Sequence, residues 1–126
     1  MQGTNFELVE DFMRAFSQEV LTEPELPEKA TQELRVDLIA EELQELEDAL
    51  RDEDLIGVAD ALTDLVYVVY GAGHAFGIDL DSCFEEVHSS NMSKLGPGGT
   101  PIYREDGKVL KGDNYREPDL ATVLEL

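Results

Sequence analysis

Cysteine is almost missing from this chain. Cys83 stands alone among 126 residues, which excludes an internal disulfide and fits a reducing, cytoplasmic setting. Basic residues are scarce as well: nine Lys and Arg stand against 29 Asp and Glu, for a formal net charge of −20 at pH 7. A surface this acidic repels nucleic acid polymers and anionic membranes, so neither is expected as a partner. No apolar run approaches the roughly 18 residues that would span a bilayer. Met1–Asn5 shows neither a basic patch nor an apolar h-region, so no signal peptide is expected. There is no P-loop, no zinc-ligand cluster, no Gly-rich nucleotide fingerprint and no internal repeat.

What remains is a globular composition, with 42% apolar residues and length enough for one domain and one core. The periodicity predicts an all-α fold of four to five helices over about residues 6–95, followed by a C-terminal arm over about 96–126. Phe6, Val9, Phe12, Met13, Phe16 and Val20 recur at helical spacing, and Pro24 and Pro27 interrupt the chain after them. A second helix is expected over about 30–51. A third follows the acidic turn Asp52-Glu53-Asp54 and ends near Phe76, with Gly77 as its C′ residue. It is apolar nearly all round, which marks it as buried. Asp79 is placed to cap a fourth helix over about 80–95. In the arm, Asp106-Gly107 between two apolar segments is the signal of a type I′ β-hairpin.

The charge is unevenly spread. Five of the nine basic residues (Lys94, Arg104, Lys108, Lys111 and Arg116) lie between positions 94 and 116, after helices rich in acid. That distribution suits a metal together with a phosphorylated ligand, although a well-solvated acidic surface would look similar. The second helix is more telling. On a wheel of about 100° per residue, Glu42 and Glu45 fall inside the sector bounded by Leu34, Leu38, Ile39, Leu43 and Leu46, with Glu41 at its edge. Asp60 and Asp64 sit one turn apart in the otherwise apolar third helix, a spacing at which like charges repel.

Folding these two helices into an antiparallel hairpin about Asp52–Glu53 sets Glu45 opposite Asp60 and Glu42 opposite Asp64. Only Arg35 stands nearby as a counter-charge, and it is also a candidate substrate contact. Burying uncompensated carboxylates costs several kcal/mol each, so they protonate unless a cation neutralises them. An all-oxygen shell suits Mg²⁺, or Mn²⁺, rather than zinc. On the fourth helix Asn91 and Lys94 follow the apolar face of Leu80, Cys83, Phe84 and Val87. An amide and an ammonium so placed can hold phosphate oxygens, though Lys94 can equally snorkel to solvent. Cys83, His74 and His88 are read as structural.

These elements resemble the all-α nucleotide pyrophosphohydrolases that include MazG, phosphoribosyl-ATP pyrophosphohydrolase and the dimeric dUTPases. The resemblance covers roughly residues 30–95. It rests on Leu34-Arg35-x-x-Leu38-Ile39-x-Glu41-Glu42-x-x-Glu45-Leu46, then Asp60-x-x-x-Asp64-Leu65-x-Tyr67, then Asn91-Met92-Ser93-Lys94. The Tyr103–Tyr115 stretch also looks like the tail of MazG-like members. The family pattern, Glu-x-x-Glu on one helix and Glu-x-x-Asp on the next, implies Mg²⁺ ligands at Glu42, Glu45 and Asp64. Its remaining glutamate corresponds to Ala61, which cannot be a ligand, and Asp60 is the neighbouring substitute. The resemblance further implies that Asn91 and Lys94 contact substrate phosphates.

The expected reaction is hydrolysis of a nucleoside triphosphate, dUTP or another dNTP among the candidates, to a monophosphate and pyrophosphate. Glu41 or Asp60 would orient or deprotonate the attacking water. Lys94, with Lys108 or Lys111, would offset charge on the leaving pyrophosphate. Two alternatives stand beside it: a phosphoribosyl-ATP pyrophosphohydrolase, which the tail resembles less, and a non-catalytic acidic metal-binding or interaction module. The first and third helices carry too much apolar surface for one small subunit, so a homodimer or homotetramer is expected.

Overall fold

The computed structural model describes residues 3–126. It is all-α, as expected: α1 (Asn5–Ala15), α2 (Lys29–Arg51), α3 (Leu55–Ala75), α4 (Leu80–Met92) and α5 (Leu120–Val123), with a 3₁₀ turn at Pro97–Gly99. The chain divides into two compact units at the start of α4, between Leu80 and Asp81.

In the first unit each helix starts and stops for a local reason. A capping box opens α1, in which Thr4 Oγ1 accepts from the Glu7 amide (3.1 Å) and the Glu7 carboxylate accepts from the Thr4 amide (2.8 Å). The helix ends at Ala15, five residues before the expected Val20. Ser17 turns left-handed (φ 58°), and the amides of Ser17 and Gln18 donate back to the carbonyls of Arg14 and Met13. This is a Schellman closure built on a serine. Glu53 (φ 52°) ends α2 in the same way, and Asp54 at once caps α3 by accepting from the Gly57 amide at 3.0 Å. Gly77 closes α3 as expected, with φ 69° and the Ile78 amide donating to the Gly73 carbonyl at 2.8 Å.

Phe6, Val9 and Met13 on α1 and Ala61 and Ala75 on α3 form the core of this unit. His74 ties the two helices: its ring stacks on Phe6 with centroids 3.8 Å apart, and Nε2 lies 2.7 Å from the Phe6 carbonyl. A carbonyl only accepts, so Nε2 carries the proton. The segment between α1 and α2 is strapped to the end of α3 by the Leu21 and Glu25 amides, which donate to the carbonyls of His74 and Phe76.

Two expectations need correction here. The third helix is not buried within the chain: Ile56 is 80% exposed and Leu62 and Val66 each 49%, because α1 and α2 alone cannot surround an all-apolar helix. That helix is also long and apolar enough to cross a membrane by length and composition, with a mean hydropathy of 1.5, despite Asp60 and Asp64. Its Leu, Ile, Val and Ala residues keep the average high although Gly, Thr, Tyr and the two aspartates interrupt the run.

The second unit is α4 with the arm folded on it. Arg116 binds Glu86 (2.7 Å) and Ser89, its amide donates to Ser93 Oγ (3.0 Å), and its carbonyl accepts from Ser90 Oγ (2.8 Å). The arm holds one antiparallel bridge, Tyr103 to Val109. Its turn is not the expected I′ type. The Gly107 amide donates to Arg104 and only Gly107 takes positive φ (89°), so three residues connect the segments, the type I turn plus glycine bulge of longer hairpins.

Candidate metal centre

The α2–α3 hairpin brings Glu42, Glu45 and Asp64 together: one carboxylate oxygen from each lies within 4.8 Å of the other two. The helical turn separating Glu42 from Glu45 supplies two donors from one face, and the antiparallel return supplies the third. Glu42 and Asp64 are half-buried and Glu45 is exposed, so the group opens to solvent on one side. Oε2 of Glu42 is buried without any hydrogen-bond partner.

The electrostatics follow from this crowding. The Glu42 carboxyl is pushed up to about 7, first by its close pairing with Glu45, then by burial, then by repulsion from Glu45, Asp64 and Asp60. Asp64 is raised by burial first and by Asp60 and Glu45 after it. Three converging oxygen donors, one of them orphaned, fit a hard divalent cation such as Mg²⁺ or Mn²⁺ and match no soft-metal set.

The other residues singled out from sequence fall around or apart from this group. Asp60 is exposed and outside the 4.8 Å group, acting on Glu42 and Asp64 through space. Ala61 is in the core at 2% exposure, so its position supplies no ligand. Glu41 is exposed on α2. Asn91, Lys94, Lys108 and Lys111 belong to the second unit. There Asn91 is exposed, Lys94 is half-buried and Lys111 lies over the Tyr115 ring, 4.7 Å from its centroid.

Arg35 is buried on α2, with Nε unpartnered, in the space left by the missing side chain of Gly71. It lines a cavity of about 500 Å³ between α1, α2 and α3 that sequence reasoning missed. An interior glycine in a helix was the available signal, since glycine there is costly without a packing reason.

The profile of the phosphoribosyl-ATP pyrophosphohydrolase family matches residues 9–91, two thirds of the chain and the whole of α2 and α3. The chain belongs to that family. This phosphoribosyl-ATP pyrophosphohydrolase family member is also 35% identical over 116 residues to the uncharacterized protein L479 of Acanthamoeba polyphaga mimivirus, matching 87% of this chain. The match takes in 43% of that relative, so the chain spans less than half of the relative's length. Among solved structures it resembles a candidate NTP pyrophosphohydrolase from Exiguobacterium sp. 255-15. The TM-score is 0.51 at 28% identity, over 99% of this chain and 94% of that one. The family match includes Glu42, Glu45, Asp64 and Asn91 and leaves Lys94, Lys108 and Lys111 outside.

Proposed function

We propose that this chain is a Mg²⁺-dependent nucleoside triphosphate pyrophosphohydrolase, converting (d)NTP and water to (d)NMP and pyrophosphate. The observation that carries the reading is the Glu42–Glu45–Asp64 group with its orphaned buried oxygen, set in a family that cleaves such bonds. Glu42, Glu45 and Asp64 would hold the metal, with Asp60 as a candidate fourth carboxylate. When bound, the metal neutralises triphosphate oxygens and the charge that develops on them.

Glu41 or Asp60, free of the three-carboxylate group, orients a water or takes its proton. The water oxygen attacks the α-phosphorus, the bond to the bridging oxygen breaks, and pyrophosphate leaves. Asn91, Lys94, Lys108 and Lys111 offer donors to phosphate oxygens. A second reading, hydrolysis of phosphoribosyl-ATP, is favoured by the family profile. The Exiguobacterium protein, which matches nearly the whole chain, favours the triphosphate.

A homodimer or homotetramer would cover Leu8, Leu62 and Val66, which are exposed on α1 and α3. A cytoplasmic location fits the nucleotide substrate and a sequence with a single cysteine. The test is product analysis over a panel of nucleotides and phosphoribosyl-ATP with and without chelator. Pyrophosphate that disappears on chelation supports the reading, and a monomeric mass in light scattering refutes the assembly.

A further inference from the structure

Arg35 is 9% exposed, its Nε has no hydrogen-bond partner, and no carboxylate among the described residues pairs with it. A guanidinium does not deprotonate to escape burial, so an unpaired one is costly unless something brings it acceptors. Arg35 faces a cavity of about 500 Å³, whose other walls include Phe12, Leu38, Tyr67 and Val68. That volume is within the range of small-ligand sites, about 300–1,000 Å³. The Phe12 and Tyr67 rings meet edge-on in this wall, 5.6 Å apart at 84°.

The cavity adjoins the carboxylates. Leu38 precedes Glu42 by one turn of α2, and Val68 follows Asp64 by one turn of α3, a rise of about 5–6 Å in each case. An occupant with phosphates at the carboxylates therefore reaches the cavity with its base. The walls are chiefly apolar and aromatic, with Gln18, Glu19 and Thr31 as polar residues beside Arg35, a lining that suits a flat ring and, with a carboxylate in it, not a phosphate.

The planar fork of Arg35 selects among bases. It donates only, so it matches an edge with two adjacent acceptors: O6 and N7 of guanine or hypoxanthine. Adenine sets a donor, N6, beside N7, and uracil and thymine set N3–H between their two carbonyls; cytosine has an adjacent acceptor pair in O2 and N3, but its one ring fills less of the cavity than the two rings of a purine. We propose that the cavity between α1, α2 and α3 takes a 6-oxopurine base, with Arg35 donating to O6 and N7. The proposal rests on the nucleotide reading of the carboxylate group and adds the base to it.

Binding of dGMP, dAMP, dCMP and 7-deaza-dGMP to the full chain with Mg²⁺, measured by calorimetry, tests it without needing turnover. We expect dGMP to bind about tenfold or more tighter than dAMP, since a bidentate pair discriminates by about that much or more. In 7-deaza-dGMP, which lacks the N7 acceptor, most of that advantage is lost. Arg35→Met and Arg35→Lys both abolish the preference. Arg35→Met also raises the Tm of the nucleotide-free protein by removing an unpaired buried cation, so lost binding there is not lost folding.

Equal binding of all four ligands, dCMP binding as tightly as dGMP, or a preference retained in Arg35→Met, overturns the proposal. A changed oligomeric mass in Arg35→Met with no effect on nucleotides also overturns it, by assigning the cavity to a second copy of the chain. Pyrophosphate release from every triphosphate alike would defeat the base pocket and leave the catalytic reading. Selective dGMP binding without any turnover would do the reverse.

Discussion

The guanidinium of Arg35 occupies the space that a side chain at Gly71 would fill: a Cβ there would lie 2.8 Å from Nη1. The obstructing atom is the far end of a flexible side chain, and alanine is favoured over glycine in a helix by about 1 kcal/mol. Gly71→Ala is therefore expected to stay within about 1 kcal/mol of the parent in a urea titration while displacing Arg35. Gly77→Ala is the contrast. Gly77 has φ 69°, and a Cβ there runs into the Glu23 carbonyl, backbone that cannot step aside. That variant should lose well over 1 kcal/mol.

His74→Ala removes both the stack on Phe6 and the hydrogen bond to its carbonyl. The truncation leaves a void in the core and an unsatisfied carbonyl beside it. Its expected cost is about 2–4 kcal/mol in chemical denaturation, read against a Leu-to-Ala truncation on the exposed side of α2.

Glu42→Gln separates stability from metal binding. The amide relieves repulsion among three carboxylates and gives the buried oxygen's position a donor. In chelator the variant should therefore melt higher, by about 4 °C for a gain near 1 kcal/mol. It should also lose the Tm increase that Mg²⁺ gives the parent. Thermal melts with and without metal check both signs.

The second unit carries an acid-sensitive clasp. Glu86 is held below its ordinary carboxylate value by the Asp119 amide first and by Arg116 second. A depressed folded pKa contributes stability that is present above the unfolded value of 4.5 and is lost as pH falls through the folded value. The protection of the Asp119 amide, whose partner is Glu86 Oε2 at 2.8 Å, should fade below pH 4.5 in hydrogen exchange. Glu86→Gln should weaken it already at neutral pH.

Much of this was legible in the sequence because it depends on spacing. The carboxylates of Glu42, Glu45 and Asp64 meet because a hairpin about Asp52–Glu53 leaves them no other register, and Gly77 ends α3 because glycine takes the left-handed C′ conformation at the least cost. The end of α1 was not legible, since Ser17 has no special preference for the left-handed conformation it adopts. The Asp106-Gly107 turn is ambiguous for a similar reason: the same two residues serve a two-residue or a three-residue connection. The exposure of α3 escapes periodicity, which reports that a helix is apolar all round and not what surrounds it. Arg35 in its cavity depends on α1 crossing near Gly71, a tertiary contact that no local pattern encodes.

The most direct test of the account is the identity of the phosphate product. The chain, incubated with Mg²⁺ and a nucleoside triphosphate, should release pyrophosphate and monophosphate. Chelation or Glu45→Ala should abolish that release while the helical circular dichroism is retained. Release of orthophosphate, or no product from any nucleotide or from phosphoribosyl-ATP with a folded, metal-loaded protein, would contradict it.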